Sequence, residues 1–490
     1  LVLPTAMPPA PSPAPATPSA NETQVLEERK GIEGDITDVR KSEPDMNLGK
    51  SQRKSTCTIG LGQTCGKDVL HLTEPSLVYP GGNTGCLEGA PYAFRVYPGD
   101  PDKLYIHFQG GGACWDEATT MTNRACKDGL SAHPSEGVFN RQHPDNPLKN
   151  YTMVHVVYCS GDMHLGNTMR PYGAVQKGYH NSLAAIDWAK QNMPANLTNF
   201  VIGGCSAGSI AAQIWAGTLL DAFHAPNATV VLDSYLPIFP AGADARLFVN
   251  FESCGTLPLP ENLKMDCTNG TLNMTRILQH DLVGYPNVTF AIINSKADKM
   301  QRSFSDMLSK SLDLDDEGNN SDAAYYYREV NQLSEFLHSF PNLFTYFVGG
   351  DCAECHCYVV RDDRFYNATP HGLAANGTNR TSRTPAAWLR RLVESPDLGE
   401  SACDGQVLPK VKWQSEKSTS VDYCPEPYMS EKDIKAFEQA EAARQKAEYV
   451  PFAFGVGTAC IVLMVLAATW YYCRFHDPKD MCEALHDEDS

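Results

Sequence analysis

The residues best suited to chemistry form the pentapeptide Gly204-Cys205-Ser206-Ala207-Gly208, which fits the pattern G-x-S-x-G. A short apolar run precedes it, and small and apolar residues follow at helical spacing, which predicts a strand, a sharp turn and a helix. In that context the pattern indicates a nucleophile elbow. Glycines are needed at both ends because a side chain there would collide with the neighbouring strand or helix. The alternative is a Gly-rich turn that binds a phosphate or nothing.

A serine hydroxyl becomes a strong nucleophile only when a base takes its proton and an acid holds that base in one tautomer. In hydrolases with a nucleophile elbow the chain order is Ser, then Asp or Glu, then His. Two aspartates after Ser206 follow predicted strands, Asp233 and Asp298. The later loop is the commoner position, so we predict Asp298 as the acid; capping a loop is the alternative role for either residue.

Three histidines follow the candidate acids, at His338, His356 and His371. The first lies on a predicted helical stretch, and the last lies in a loop with Pro and Gly that is flanked by glycosylation sequons. His356 follows a late predicted strand and lies between Cys355 and Cys357. Disulfides there would hold a catalytic loop rigidly, so we predict His356 as the base.

The cysteine-rich run at residues 352–357 has two other interpretations. Cys-x-x-Cys-His is a c-type haem attachment pattern, and three thiols with His356 could ligate zinc. Both need reduced thiols, whereas the sequons described below indicate a route on which disulfides form. We therefore predict disulfides here, and no metal or other cofactor; Cys205 could be paired or free.

Acyl transfer also needs hydrogen-bond donors for the developing oxyanion. The residue after the nucleophile supplies one backbone N–H, which here belongs to Ala207. The run Gly110-Gly111-Gly112 follows an early predicted strand, and bare glycine backbone lets a substrate oxygen approach closely. An ordinary tight turn is the alternative for this run.

The elements that would position these groups alternate between strands and helices, which predicts an α/β fold with a mainly parallel sheet covered by helices on both faces. The predicted strands span residues 104–109, 152–158, 200–202, 228–232, 288–294 and 343–348, and a helix is predicted over 181–191. Each candidate residue follows a strand end, where functional groups of such sheets gather.

Composition argues against nucleic acid as a binding partner and indicates a location outside the cytosol. The formal net charge of −18 leaves no basic excess for binding a polyanion. The chain has 17 cysteines, and the sequons indicate a secretory route. These sequons are at Asn21, Asn150, Asn196, Asn227, Asn269, Asn273, Asn287, Asn319, Asn367, Asn376 and Asn379.

The 490 residues divide by composition into five parts. Residues 1–56 are a Pro/Ala-rich and charged segment predicted to be disordered, and 57–430 form the catalytic domain. Residues 431–450 are a juxtamembrane stalk, 451–473 a transmembrane helix and 474–490 a cytosolic tail. All sequons precede the span, which predicts an N-glycosylated, single-pass type I membrane protein with an extracellular or luminal catalytic domain.

Taken together, the motifs resemble the pectin acetylesterase/Notum family. The resemblance covers roughly residues 57–424 and is most specific in the blocks at 107–116 and 204–208. It implies an α/β-hydrolase fold, a carboxylic-ester hydrolase, the triad Ser206–Asp298–His356, and an oxyanion hole from Gly111, Gly112 and Ala207. The chain departs from the family at Ser209, where glycine is usual, and in its C-terminal span.

The resemblance implies a serine carboxylesterase. In this family, plant members remove acetyl groups from pectin, and the Notum branch removes a fatty acyl group from Wnt proteins. We predict deacylation, foremost deacetylation, of an esterified polysaccharide or glycan. The alternatives are a fatty-acyl protein deacylase, a serine peptidase, and a non-catalytic membrane receptor or adhesion protein on a hydrolase scaffold. The sequence does not predict an oligomeric state.

Overall fold

The computed structural model describes residues 55–60, 64–314, 322–349, 352–367, 384–403 and 406–407. Nearly all of the predicted N-terminal segment lies outside these residues. So do the predicted stalk at 431–450, the membrane span at 451–473 and the tail at 474–490. Among the described residues, no helix has the length and apolar character needed to cross a bilayer.

A single large sheet organises the described part of the chain. Its strands are β1 (Thr56–Thr58), β2 (Ser76–Tyr79), β3 (Phe94–Tyr97), β4 (Asp100–Phe108), β5 (Tyr151–Val156), β8 (Asn199–Cys205), β9 (Asn227–Asp233), β10 (Thr289–Ser295), β11 (Leu343–Val348), β12 (Ala402–Cys403) and β13 (Gln406–Val407). Two further strands, β6 (Thr168–Met169) and β7 (Val175–Gln176), form a small separate antiparallel pair.

The strand order is β1-β2-β3-β5-β4-β8-β9-β10-β11-β12-β13. The central run from β5 to β12 is parallel throughout, while β3 is antiparallel to both β2 and β5, and β13 is antiparallel to β12. The prediction of a mainly parallel sheet is therefore confirmed. Its central strands are almost completely buried, which is why they appear in the sequence as continuous apolar runs.

The helices are α1 (Gly178–Asn192), α2 (Ala207–Ala222), α3 (Ala243–Asn250), α4 (Glu261–Thr268), α5 (Met274–Gly284), α6 (Lys299–Ser311), α7 (Ala323–Leu337), α8 (Asp362–Phe365) and α9 (Pro385–Glu394). They cover both faces of the sheet, as predicted. Ile202 and Val230 pack in one core with residues of α1, α2 and α5. The alternating neighbours Val201 and Val231 pack in a second core with Trp388 of α9.

Strand β8 is longer than its apolar run alone predicts. The run of apolar side chains ends at Ile202, but Gly203 and Gly204 continue the strand and pair with both β4 and β9. The strand therefore ends at Cys205, directly against the turn that carries Ser206.

Candidate active site

Ser206 occupies a sharp turn between β8 and α2. Its φ of 59° and ψ of −127° lie in a region that L-residues rarely adopt, and such strain is typical of functional turns. A Cβ added to Gly204 would lie 2.2 Å from the Gly208 oxygen, and one added to Gly208 would lie 2.1 Å from the Phe108 oxygen. Both glycines are therefore required by close backbone contact, as predicted for an elbow.

Hydrogen bonds to β9 hold this turn in place. The Ser206 N–H donates to the Asp233 carbonyl oxygen over 2.9 Å. The hydroxyl oxygen of Ser209 lies 2.7 Å from the Gly204 carbonyl oxygen and 2.8 Å from both the backbone oxygen and nitrogen of Asp233. Ser209, where the family resemblance leads one to expect glycine, thus ties the first turn of α2 to the neighbouring strand.

His356 lies in the loop after β11 and contacts Asp298. Its Nδ1 lies 2.8 Å and 3.0 Å from the two carboxylate oxygens of Asp298, which is completely buried at the N-cap of α6. The carboxylate also accepts hydrogen bonds from the backbone N–H and side chain of Gln301. This fixed carboxylate orients the imidazole, and leaves Nε2 as the atom that can exchange a proton with a substrate.

The surroundings of His356 favour its protonated form. Burial acts to lower the pKa of His356, but the charge of Asp298 and its hydrogen bond, followed by the charge of Asp233, raise that pKa above the usual value. The carboxylate of Asp298 can therefore stabilise an imidazolium formed during a reaction.

Asp233 has a different set of partners from Asp298. Its carboxylate accepts hydrogen bonds from the Tyr358 and Val359 N–H groups, each over 2.8 Å, and from the Ser234 hydroxyl over 2.9 Å. Burial is the main cause that raises its pKa, to about 6. Asp233 therefore fastens the backbone just after His356, a role that sequence reasoning missed because the two segments are far apart in the chain.

The other candidate histidines do not join this group. His338 is the C-cap of α7, and its Nδ1 lies 2.5 Å from the Ser334 carbonyl oxygen. His371 lies outside the described residues.

Asp162, which also follows a strand, is buried and accepts hydrogen bonds from Ser160, His164 and Gly178, so it organises the loop after β5.

The predicted oxyanion donors lie at the same edge of the sheet. Two cavities, described below, adjoin Ser206. Gly112 lines both of them, and Gly111 lines the more polar one. Ala207 is the first residue of α2. The carbonyl groups of the two glycines are occupied, since Gly111 O accepts from the Lys127 N–H and Gly112 O accepts from the Tyr158 hydroxyl. In the described part of the chain, the N–H groups of Gly111, Gly112 and Ala207 have no acceptor, so they are available to a ligand.

Disulfides surround the candidate base. Cys205 pairs with Cys357, and Cys352 pairs with Cys355. The sulfur atoms of Cys205 and Cys357 and a ring nitrogen of His356 lie within 4.8 Å of one another. Because every cysteine of the 352–357 run is in a disulfide, no thiol there is free for haem attachment or zinc ligation. Further disulfides join Cys57–Cys65, Cys86–Cys159, Cys114–Cys126 and Cys254–Cys267.

Two cavities meet at Ser206 and His356. The first is an apolar slot of about 70 Å³ whose wall includes Trp115, Phe239 and Leu247. The second is a wider cleft of about 540 Å³, more polar than the slot, bounded by the glycine run, Lys127 and two buried histidines. The wall of the slot comes from widely separated segments, so the sequence alone did not identify it. An ester could place its acyl group in one cavity and its alcohol in the other.

Comparison with known proteins matches residues 79–344 to the pectinacetylesterase family. Pectin acetylesterase 7 of Arabidopsis thaliana is 26% identical over 145 residues, which are 27% of this chain and 37% of the relative. Pectin acetylesterase 11 of the same plant is 27% identical over 139 residues, which are 26% of this chain and 36% of the relative. The matched regions thus span little more than a third of either relative.

Solved structures of the Wnt deacylase Notum from Drosophila are also similar to this chain. Crystal form I has a TM-score of 0.46 at 14% identity and covers 73% of this chain and 99% of the Notum chain. Crystal form II has a TM-score of 0.45 at 13% identity and covers 72% of this chain and all of the Notum chain.

Proposed function

This chain belongs to the pectinacetylesterase family, and on that premise we propose that it is a serine carboxylesterase with an α/β-hydrolase fold. Its substrate is an acylated, foremost acetylated, polysaccharide or glycan. The observation that carries the proposal is the hydrogen bond from His356 to the buried Asp298, at a cleft that Ser206 also lines. Nucleophile, acid and base then follow the chain order Ser, Asp, His that is typical of hydrolases with a nucleophile elbow.

The proposed reaction has two halves. His356 takes the Ser206 proton through Nε2, Ser206 attacks the ester carbonyl, and the oxyanion accepts hydrogen bonds from the Gly111, Gly112 and Ala207 N–H groups. Protonated His356 then gives its proton to the leaving alcohol, and an acyl-enzyme forms. Water, activated by His356, attacks the acyl-enzyme and releases the acid. Every proton in this scheme passes through His356, and no metal is required.

The size of the apolar slot favours a short acyl group. An apolar cavity of about 150 Å³ is known to hold benzene, whereas this slot measures about 70 Å³. We therefore expect the slot to accept an acetyl group or one with a few more carbons. A fatty chain, as removed by the Notum branch, is the second candidate, because most of the wall is apolar.

The test of the enzyme class is Ser206→Ala assayed with para-nitrophenyl acetate. We expect no hydrolysis, together with an unchanged melting temperature, and loss of labelling by a fluorophosphonate probe. Turnover retained by Ser206→Ala would refute the nucleophile. A wild-type protein that neither turns over the ester nor takes the probe would favour the non-catalytic receptor or adhesion protein. Cleavage of peptide amides at comparable rates would favour the peptidase.

The test of the acyl group is the rate measured against chain length, from acetyl to palmitoyl esters of para-nitrophenol. We expect kcat/KM to be highest for acetyl to butanoyl and to fall for longer chains. An optimum at octanoyl or beyond would favour the fatty-acyl deacylase.

We also propose that the catalytic domain is luminal or extracellular, glycosylated and anchored by residues 451–473. Support comes from the disulfides, and from sequon asparagines that lie exposed on the described surface, such as Asn150, Asn196 and Asn287. A mass decrease with a glycosidase, and retention of the full chain in alkali-washed membranes, would be the expected results. Release into the soluble fraction by alkali would refute the anchor.

A further inference from the structure

The side-chain amide of Gln301 lies where the proposed triad acid meets the wall of the apolar slot. Gln301 is in the first turn of α6, and Asp298 is the N-cap of that helix. A glutamine at this position usually accepts a hydrogen bond from the N–H of the N-cap residue. Here the amide has partners in three segments of the chain, so helix capping does not account for it.

The nitrogen of this amide has two acceptors. Gln301 Nε2 donates to Asp298 Oδ2 over 3.1 Å and to Asn294 Oδ1 over 2.7 Å. Asn294 is completely buried near the end of β10. Its own Nδ2 donates to the Ser295 carbonyl oxygen and to the Tyr326 hydroxyl. These bonds fix the position of Asn294 Oδ1 and, through it, the orientation of the Gln301 amide.

The oxygen of the amide has a donor in a different loop. Gln301 Oε1 accepts a hydrogen bond from the Leu236 N–H over 2.9 Å. Leu236 belongs to residues 234–239, which follow β9 and form much of the wall of the slot. In the described part of the chain, one other hydrogen bond joins residues 235–239 to another element, from the Thr275 hydroxyl to the Pro237 carbonyl oxygen over 3.5 Å. The bond to Gln301 is therefore the main polar restraint on this wall.

Only an amide satisfies both sets of partners. A carboxylate would place an oxygen against the Asp298 carboxylate, and a hydrocarbon would leave the N–H of buried Leu236 without an acceptor. Among the described residues, His356 and Gln301 are the two that donate to the Asp298 carboxylate. Gln301 thus provides the contacts that hold this carboxylate apart from its bond to the imidazole.

We propose that Gln301 is a positioning residue that holds the triad acid and the wall of the acyl slot in one fixed arrangement, and that it thereby limits the length of the acyl group. The inference rests on the proposed function, which assigns Asp298 as the acid and the slot to the acyl group. Loss of the amide would loosen both at once, because Asp298 would lose a donor and residues 234–239 would lose their restraint.

The enzymatic test compares Gln301→Met and Gln301→Glu with Gln279→Met, which changes an exposed glutamine of α5. Gln301→Met should lower kcat/KM for para-nitrophenyl acetate by about tenfold to a hundredfold, the effect of losing a hydrogen bond to a charged group. Gln279→Met should leave it unchanged. Selectivity is measured as kcat/KM for the acetyl ester divided by kcat/KM for the octanoyl ester.

The selectivity ratio separates the two contacts of the amide. In Gln301→Met the Leu236 N–H loses its acceptor, so the wall should yield to longer chains and the ratio should fall about threefold or more. Gln301→Glu keeps an oxygen for that N–H, so it should keep the wild-type ratio in spite of a lower activity. A ratio that Gln301→Met leaves unaltered, or that both variants lower equally, would overturn the link to the slot.

The pKa of His356 reports the contact with the acid. Burial lowers this pKa, the charge and hydrogen bond of Asp298 and then the charge of Asp233 raise it, and the positive charge of Arg364 lowers it. Without the Gln301 donor, more of the negative charge of Asp298 acts on the imidazole, so the pKa of His356 should be higher in Gln301→Met than in the wild type. Gln301→Glu, which keeps the shape of the side chain, should also raise it. A role in packing alone would leave this pKa unchanged.

Titration of His356 by proton NMR, on the full chain in detergent, needs no turnover and so separates this proposal from the enzymatic one. The imidazole signal of His356 is the one that His356→Asn removes, and circular dichroism shows whether each variant is folded. A pKa that is unchanged or lower in both Gln301 variants would overturn the role of Gln301 even if the protein is an active esterase. A raised pKa in a protein that hydrolyses no ester would support the contact with Asp298 and reject the proposed reaction.

Discussion

Cys205, the residue before Ser206, is disulfide-bonded to Cys357, the residue after His356. The bond joins the end of β8 to the loop after β11, across 152 residues of sequence, with the two Cα atoms 5.6 Å apart. The proposed nucleophile and the proposed base are thus each one peptide bond from the same covalent link. The link limits the relative movement of their backbones, which is the movement that would misplace the imidazole.

Removal of this disulfide should reduce activity more than removal of a remote one. For Cys205→Ala/Cys357→Ala we expect kcat/KM for para-nitrophenyl acetate to fall by about a hundredfold, since an error of one ångström in position can cost that much. Cys254→Ala/Cys267→Ala removes a disulfide that joins α4 to the segment before it, and is the control remote from Ser206. Both changes should destabilise the fold, by roughly 3 to 5 kcal/mol in the chain-entropy description.

The assay should therefore be run at a temperature where circular dichroism finds all three proteins folded. Equal activity of the two double variants would contradict a positioning role for the Cys205–Cys357 bond.

Asp298 and Asp233 should respond differently to the same substitution. Asp298→Asn keeps the shape but not the charge that holds the His356 tautomer, so kcat should fall by about 10³- to 10⁴-fold with little change in stability. Asp233→Asn replaces one oxygen of a carboxylate that accepts three hydrogen bonds. It should destabilise the fold by about 1 to 3 kcal/mol with a smaller loss of kcat. Melting curves and kcat, measured for both variants, test this difference. A larger loss of kcat in Asp233→Asn would identify Asp233 as the acid.

Much of this arrangement could be predicted because its determinants are local. The strand containing Ile202 is an apolar run, and the elbow has glycines at the two positions where backbone contacts leave no room for a side chain. Family membership, expected from a few short blocks, is confirmed by the match over residues 79–344. The identities of Ser206, Asp298 and His356 as a triad stay predictions.

What could not be predicted depends on contacts between distant segments. Nothing near Cys205 in the sequence identifies Cys357 as its partner. In the sheet, β9 and β10 lie between β8 and β11, and the pairing arises because the loop after β11 reaches back to the end of β8. The role of Asp233 is hidden for the same reason, since its partners lie more than a hundred residues later.

The pH dependence of the reaction should reflect the charges around His356. Because Asp298 and Asp233 raise the pKa of His356 against the effect of burial, the acid limb of kcat/KM should have its midpoint above about 6.5, the usual histidine value. Loss of a raising charge moves the midpoint down, so Asp233→Asn should shift the acid limb to lower pH. Profiles of both proteins measured with para-nitrophenyl acetate test the sign. An unchanged midpoint, or an upward shift, would show that Asp233 does not act on His356.

Gly112 and Gly81 allow the oxyanion loop to be tested with a matched pair of substitutions. Both have a positive φ, 72° and 67°, so alanine is strained by about 1 to 2 kcal/mol at either position. They differ in surroundings, because a Cβ on Gly112 would lie 1.9 Å from the Ala125 backbone oxygen, whereas nothing lies within 4 Å of one on Gly81.

Gly112→Ala must therefore displace backbone beside the proposed oxyanion donors. We expect its kcat to fall by about 10²-fold or more, as when one such donor is lost, while Gly81→Ala keeps the wild-type kcat with only the strain cost in its melting temperature. Urea unfolding and kcat, measured on both variants, separate loss of stability from loss of donor geometry. If the two variants lost stability equally and kept the same kcat, the glycine run would be an ordinary turn, and the oxyanion donors would have to be sought elsewhere.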